Sequence, residues 1–412
     1  MPQQPPEPPK HADKPRRGDK LQLHIDRLSV GGRGVGRTGA LVVFVADVAP
    51  NEDVEVEITL IKKNFAEARL VTILKSSEAR VTPPCPVAGI CGGCNWQHIS
   101  YPEQLSQKRS LVRESLRKFS GFDVSLESLV QPTIASPKPL RYRNRVQFHH
   151  EGRELGYFRR GSHRLISIDD CPISEEPIAA QIPILKEQFA SHPPGRIEVF
   201  VTEDERVVTR AAAERTNSTA SDQESDELDQ GGIGFAFAQV NTQQNRYLIA
   251  SVVSVFVSRL LDDESPVLYD FYAGGGNFTF PLAKAFPKAA LTAVELNRES
   301  VERGATRSRD EFASYDIRWH QQDVAAFLKE AEIAPGAGVL IDPPRAGCSP
   351  EVVSALSQSA LGFLVYVSCH PVTLARDLKT FSEAGFKLVS VQPFDMFPQT
   401  DHIETLVVLE RA

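Results

Sequence analysis

Two patterns of apolar and polar positions divide this chain. Between residues 20 and 75, LQLHIDRLSV, ALVVFVADV, EDVEVEITLI and EARLVTIL alternate with the period of half-buried β-strands. GGRGVGRTG (31–39) and APNED (49–53) supply turns between them. Short strands joined by glycine-rich turns predict a small OB-like β-barrel over 20–76. A helix is expected at 102–120, and strand-rich sequence returns between 130 and 210 in RNRVQFHH, ELGYFRR and GRIEVFVTE. After a helix at 241–262 the pattern changes to continuous apolar runs of strand length: VLYDFYA, LTAVEL, GVLID, GFLVYVS and TLVVLER. Strands buried on both faces and separated by helical stretches predict a doubly wound, Rossmann-like α/β sheet. The expected organisation is a disordered Pro-rich tail (1–19), the barrel (20–76), a central mixed α+β region (77–235) and an α/β domain (236–412).

Composition changes this picture little, with 41% hydrophobic and 24% charged residues, as in ordinary soluble proteins. No apolar run reaches the length of a membrane span and the N-terminus has no apolar signal core, so a cytoplasmic, thiol-reducing location is expected and no membrane partner. The net charge of −7 is unevenly spread. Lys138–Arg164 carries eight Lys/Arg against Glu151 and Glu154, with Tyr142, Phe148, Tyr157 and Phe158 interleaved. LSQKRSLVRESLRKF (105–119) is a second basic segment, whereas ERTNSTASDQESDELDQ (214–230) holds six acids and one arginine. The acidic run reads as a surface insertion near 212–230, and the basic stretch as either a solvated face or a nucleic-acid contact.

Four stretches carry candidate chemistry. In DFYAGGGNFTFPLA (270–283) an acid closes a strand, and Gly274 and Gly276 turn the chain toward a helix expected to start near Asn277. The turn is either structural or a ligand cradle at the carboxyl edge of the sheet, with Glu295 placed to accept from ribose hydroxyls. In IDPPRAG (341–347) two prolines hold an extended backbone, which reads either as a rigid loop after a strand or as a segment whose Asp342 faces a cleft. CPVAGICGGC places Cys85, Cys91 and Cys94 together, and Cys171 follows in IDDCPIS. Reduced clustered cysteines point to metal ligation, and zinc and iron–sulfur clusters both take four thiolates. In YVSCHPVTLARDL (366–378), Cys369 stands between an apolar run and a helix opened by Pro371. It is either a small buried hydrophobe or a thiol activated by helix N-terminal amides.

In chain order these blocks, with FAFAQVN (235–241), AVELN and FDMFPQTDHIE (394–404), resemble the RNA uracil-5 methyltransferases, AdoMet-dependent enzymes that make 5-methyluridine. The resemblance spans residues 20–412 and is to the rRNA-type members, which carry an N-terminal RNA-binding TRAM barrel. It implies that Gln239, Tyr272, Glu295 and Asp342 bind S-adenosyl-L-methionine, Cys369 is the nucleophile and Glu404 the general base. It further implies a [4Fe-4S] cluster on Cys85, Cys91, Cys94 and Cys171, RNA as partner (23S rRNA ahead of tRNA) and a monomer. His370 departs from the asparagine usual after the nucleophile, and Cys348 matches no assigned position. A radical-AdoMet methylthiotransferase would need a C-x3-C-x2-C triplet, which the x5 spacing does not supply. A non-catalytic RNA-binding assembly factor would leave Cys369, Glu404 and the cofactor block without a purpose.

Overall fold

The computed structural model describes residues 15–123, 125–202, 204–211 and 239–411. The first fourteen positions of the expected tail, the acidic insertion and FAFA (235–238) lie outside the described residues. The chain forms two compact units, one running through Thr82 with His98–Ser100, the other comprising Pro83–Gln97 and the residues from Tyr101 onward.

In the first unit β1 (Lys20–His24), β2 (Arg27–Leu28), β3 (Gly34–Thr38), β4 (Leu41–Val45), β5 (Asp53–Ile61) and β6 (Phe65–Lys75) form one sheet in the order β1-β5-β6-β4-β3-β2. The outer strands β1 and β2 are separated only by Ile25 and Asp26, so the sheet closes on itself. At that bend the Ile25 N–H donates to Glu52 O (2.8 Å) and the Asp26 N–H to Val35 O (2.9 Å). Closure removes the open edges that a small sheet would otherwise expose. Alternation along β5 turns Val54, Val56 and Ile58 inward against Leu23, Val43, Val45 and Ala66.

The second unit starts with α1 (Tyr101–Phe119) and α2 (Leu126–Leu129). Next come β7 (Arg145–Glu151), β8 (Glu154–Phe158), β9 (Leu165–Ser167), α3 (Glu176–Ala179), α4 (Ile182–Gln188), β10 (Gly195–Val201) and β11 (Val207–Ala211). These strands make an antiparallel sheet ordered β11-β10-β7-β8-β9. The chain continues through α5 (Thr242–Leu260), β12 (Val267–Phe271), α6 (Thr279–Ala285), β13 (Ala290–Glu295), α7 (Arg298–Glu311) and β14 (Asp316–Gln321). It ends with α8 (Val324–Glu330), β15 (Gly338–Ile341), α9 (Pro350–Gln358), β16 (Phe363–Ser368), α10 (Pro371–Glu383), β17 (Phe386–Phe394) and β18 (Glu404–Arg411).

The resulting sheet is ordered β14-β13-β12-β15-β16-β18-β17, parallel except for β18, which inserts antiparallel between β16 and β17. The fold class expected from the sequence is the one observed. In β16, Leu364 and Tyr366 enter one core layer while Phe363, Val365 and Val367 enter the other, which explains its unbroken apolar run. Two strands escaped the hydrophobic pattern. Edge strand β14 (DIRWHQ) is largely polar, and β17, at the opposite edge, has its alternation broken by a register shift at Leu388/Ser390. Among the described residues no helix is long and apolar enough to cross a membrane.

Candidate active site

Strand order reverses at β12, with β13 on one side and β15 on the other, and the crevice beyond such a switch point is where open α/β sheets take ligands. Just after β12, Tyr272 adopts φ 62°, a left-handed conformation that is uncommon for a bulky residue and concentrated at functional sites. Gly276 (φ 95°) completes the turn, and a Cβ there would meet the Phe280 ring. Helix α6 begins at Thr279, later than the Asn277 start the sequence suggested. Asn277 is instead held to α5, exchanging side-chain hydrogen bonds with Asn245 (2.8 and 3.2 Å). Glu295 accepts the Gly274 N–H at 2.9 Å and the Asn297 N–H at 2.7 Å. Its carboxylate therefore locks the glycine turn to the end of β13 and retains acceptor capacity beyond these two bonds.

Asp270 and Asp342 close neighbouring strands, where Phe271 pairs with Ile341 and the Asp342 N–H donates to Phe271 O at 3.2 Å. Asp270 is fully buried, and Thr279 Oγ1 donates to its Oδ2 at 2.5 Å while Oδ1 has no partner. Burial pushes the Asp270 carboxyl up to about 7, against the Thr279 bond and reinforced by the Glu295 charge. Burial likewise raises Asp342, with Asp270 adding repulsion. Two acids in this state favour a cationic ligand, which would let both ionise.

Cys369 is half-buried and follows Ser368 at the end of β16. His370 caps α10, its Nδ1 accepting the Thr373 N–H at 3.4 Å, and Pro371 occupies the first turn. Thr373 Oγ1 donates to Arg345 O at 3.0 Å, tying α10 to the DPPRAG loop. Cys348, in that loop, is buried, and Asp377 Oδ2 accepts both its N–H and the Tyr366 hydroxyl (2.8 Å each). Ser368 pairs with Thr405 in the antiparallel β16–β18 ladder. That pair ends the ladder, with Cys369 following Ser368 and Glu404, the buried first residue of β18, preceding Thr405. Two paired strands thus carry a thiol residue and a carboxylate residue at the same end of their ladder.

The four clustered cysteines are neighbours in space, since the Cys171 charge acts on Cys85, Cys91 and Cys94 alike. Gly92 N–H donates to Phe158 O (3.3 Å), Arg160 N–H to Ile90 O (3.0 Å), and Tyr157 Oη donates to Cys171 Sγ (3.7 Å). Burial first, and the other thiols next, push Cys94 up to about 12 and raise Cys85 and Cys91. A compensating cation would favour ionisation of Cys85, Cys91 and Cys94. Among the described residues no three His, Cys, Asp or Glu side chains form a group able to hold a single metal ion. Gln239 precedes α5, and its carbonyl accepts from Asn144 Nδ2 at 3.2 Å. Within the basic stretch Arg141, Arg145 and Arg153 pair with Asp170, Glu198 and Glu187, while Arg159 and Arg164 are exposed beside the stacked rings of His149 and Phe158 (3.8 Å).

Sequence reasoning missed the residues that hold the Glu404 loop: Asn95, Gln104 and Lys108, bonded to partners 306, 295 and 287 positions away. The asparagine, glutamine and lysine types carried no signal, because nothing local requires them.

Residues 328–412 match the family described as tRNA (uracil-5-)-methyltransferase, and residues 14–71 match the TRAM domain. The chain is 40% identical to an uncharacterized RNA methyltransferase of Bdellovibrio bacteriovorus over 97% of each chain. It is 32% identical to one of Gloeobacter violaceus, covering 96% of this chain and 97% of that one. The fold is similar to the crystal structure of Pyrococcus abyssi tRNA (uracil-54, C5)-methyltransferase in complex with S-adenosyl-L-homocysteine. That match has a TM-score of 0.70 at 24% identity and covers 94% of this chain and 100% of that one.

Proposed function

The chain belongs to the tRNA (uracil-5-)-methyltransferase family of RNA methyltransferases, and from that premise we propose that it methylates C5 of a uridine in RNA through a covalent Cys369 adduct. The observation that supports this reading is the β16–β18 ladder, whose last pair is Ser368–Thr405, with Cys369 and Glu404 the next residue on either side of it. Uracil C5 is a weak nucleophile while the ring is conjugated. Addition of the Cys369 thiolate at C6 moves electron density to C5 as an enolate, and C5 then takes the methyl. S-adenosyl-L-methionine supplies that methyl in electrophilic form. Glu404 accepts the C5 proton, and elimination returns the thiolate.

Gln239, Tyr272, Glu295 and Asp342 would hold the cofactor, Glu295 through its spare lone pairs and Asp342, with Asp270 beside it, through carboxylate charge facing a cation. A uridine in folded RNA must be flipped out or already unpaired to reach the thiol. The barrel and the exposed Arg159 and Arg164 would hold the flanking RNA by phosphate contacts. The thiols of Cys85, Cys91, Cys94 and Cys171 suit a [4Fe-4S] cluster, whose positive irons would offset the thiolate charge that burial opposes at Cys85, Cys91 and Cys94 and would pin the segments that carry them. The proposed target is 23S rRNA, with tRNA as the second reading because the Pyrococcus protein of similar fold is named for uracil-54 of tRNA. Purified protein given methyl-labelled cofactor and each RNA separately should place label in 5-methyluridine of one of them. RNA binding with no label in either would contradict the enzyme assignment and favour an assembly factor.

A further inference from the structure

Glu404 follows a loop, residues 395–403, that has no helix or strand of its own. The stretch beginning directly after Cys94 grips it. Asn95 Nδ2 donates to Asp401 Oδ1 at 2.7 Å, and the Asp401 N–H donates back to Asn95 Oδ1 at 3.1 Å. The Trp96 N–H donates to Gln399 O at 3.0 Å. Gln104 exchanges a further pair with Gln399, whose N–H donates to Gln104 Oε1 at 2.9 Å while Gln104 Nε2 donates to Gln399 Oε1 at 3.0 Å. Gln399 has φ 70°, an unfavourable conformation for a non-glycine residue that persists only where surrounding bonds over-determine it.

Cys369 is anchored differently. It hangs between β16 and α10, and its neighbours are fixed by Ser368 Oγ, by the His370 cap and by the Thr373–Arg345 bond. None of these three bonds involves Asn95 or the 395–403 loop.

We propose that the Asn95–Asp401 clasp positions Glu404, so that it governs proton removal and release of the adduct while leaving thiol attack unaffected. Asn95 touches no reacting atom and is a positioning residue. The inference rests on the reading of Glu404 as the base. In the step concerned the C5–H bond breaks and its proton goes to the Glu404 carboxylate. The C–H electron pair forms the C5=C6 double bond, and the C6–S bond breaks to return the Cys369 thiolate. An Asn95 that only stabilised the fold would slow attack and release together.

The test is a single-turnover reaction of full-length protein with labelled target RNA, scoring denaturation-resistant adduct and free methylated RNA separately. Asn95→Ala should form adduct at the wild-type rate and release it about tenfold more slowly, as expected when a bonded pair worth roughly 1.4 kcal/mol is lost. Asn95→Asp alone should show the same split, since its carboxylate cannot donate to Asp401 Oδ1 and repels that carboxylate. The double variant Asn95→Asp/Asp401→Asn restores both bonds with the side-chain donor and acceptor exchanged, and should recover release. Equal slowing of attack and release, unchanged kinetics in both single variants, or failure of the double exchange to rescue would overturn the proposal. Wild-type protein that forms no adduct even with 5-fluorouridine RNA would overturn the underlying Cys369 and Glu404 assignment, and this proposal with it.

Discussion

Replacing Lys108 by methionine removes the cation from an ion pair buried in the second unit. Lys108 Nζ lies 2.5 Å from Asp395 Oδ1, both side chains are 0% exposed, and Nζ also donates to Phe397 O at 3.0 Å. Methionine keeps most of the stem volume against Trp96, so the main loss is charge compensation. Asp395 would then be a carboxylate without a cation in a dry site, beside the Tyr101 hydroxyl whose ionisation burial and Asp395 already oppose. Breaking a buried pair from one side costs about 3–5 kcal/mol, a large share of the 5–15 kcal/mol that roughly bounds domain stability. Because Asp395 opens the loop leading to Glu404, that loop should loosen before the sheet does. Urea unfolding of Lys108→Met against wild type measures the loss. Lys108→Met/Asp395→Leu should regain most of it, because no charge is left unpaired. A loss below about 1 kcal/mol in the single variant, or a double variant less stable than the single, would refute the reasoning.

His370 caps α10 through Nδ1, which protonation would remove as an acceptor. Burial lowers its pKa, Arg345 and His402 add to this, and Asp401 opposes it. The stabilisation is therefore fully present above the ordinary value of 6.5 and is lost as pH falls toward the lower folded value. His370→Asn, which can cap without titrating, should flatten the acid limb of melting temperature against pH, and an unchanged limb would assign it to another group. Cys171→Ala should lose iron as completely as Cys91→Ala after anaerobic reconstitution, measured as bound iron and absorbance near roughly 400 nm. Stoichiometric zinc in colourless protein would count against the cluster. Deleting residues 1–75 should weaken RNA binding and flatten its salt dependence while leaving cofactor affinity unchanged, as equilibrium binding at several salt concentrations would show.

The barrel could be read in the sequence because alternation along β4–β6 reports which face is buried, and glycine-rich turns punctuate it. Cys369 could be singled out because an unbroken apolar run, a lone thiol and a proline at the helix start fall within a few residues. What the sequence could not show is pairing across the chain. The Asn95–Asp401, Gln104–Gln399 and Lys108–Asp395 bonds join residues 306, 295 and 287 positions apart. Each of these side chains would pass as an ordinary surface residue until the fold buries it or gives it a partner. Glu295 illustrates a partial reading: its place at the end of β13 was foreseen, but not that two backbone amides already occupy its carboxylate. Asp270 was noted only as the acid closing a strand, and its burial beside Asp342 depends on the β12–β15 register.

Accumulation of a covalent RNA–protein species in Glu404→Gln, with Cys369→Ala as its control, tests the central claim most directly. Glutamine keeps the shape of Glu404 but cannot accept the C5 proton. Attack and methyl transfer should proceed, elimination should stall, and an RNA–protein band carrying the methyl label should survive denaturing electrophoresis. Cys369→Ala should show no band and no methylation. Normal turnover by Glu404→Gln, or a band that persists in Cys369→Ala, would contradict the account.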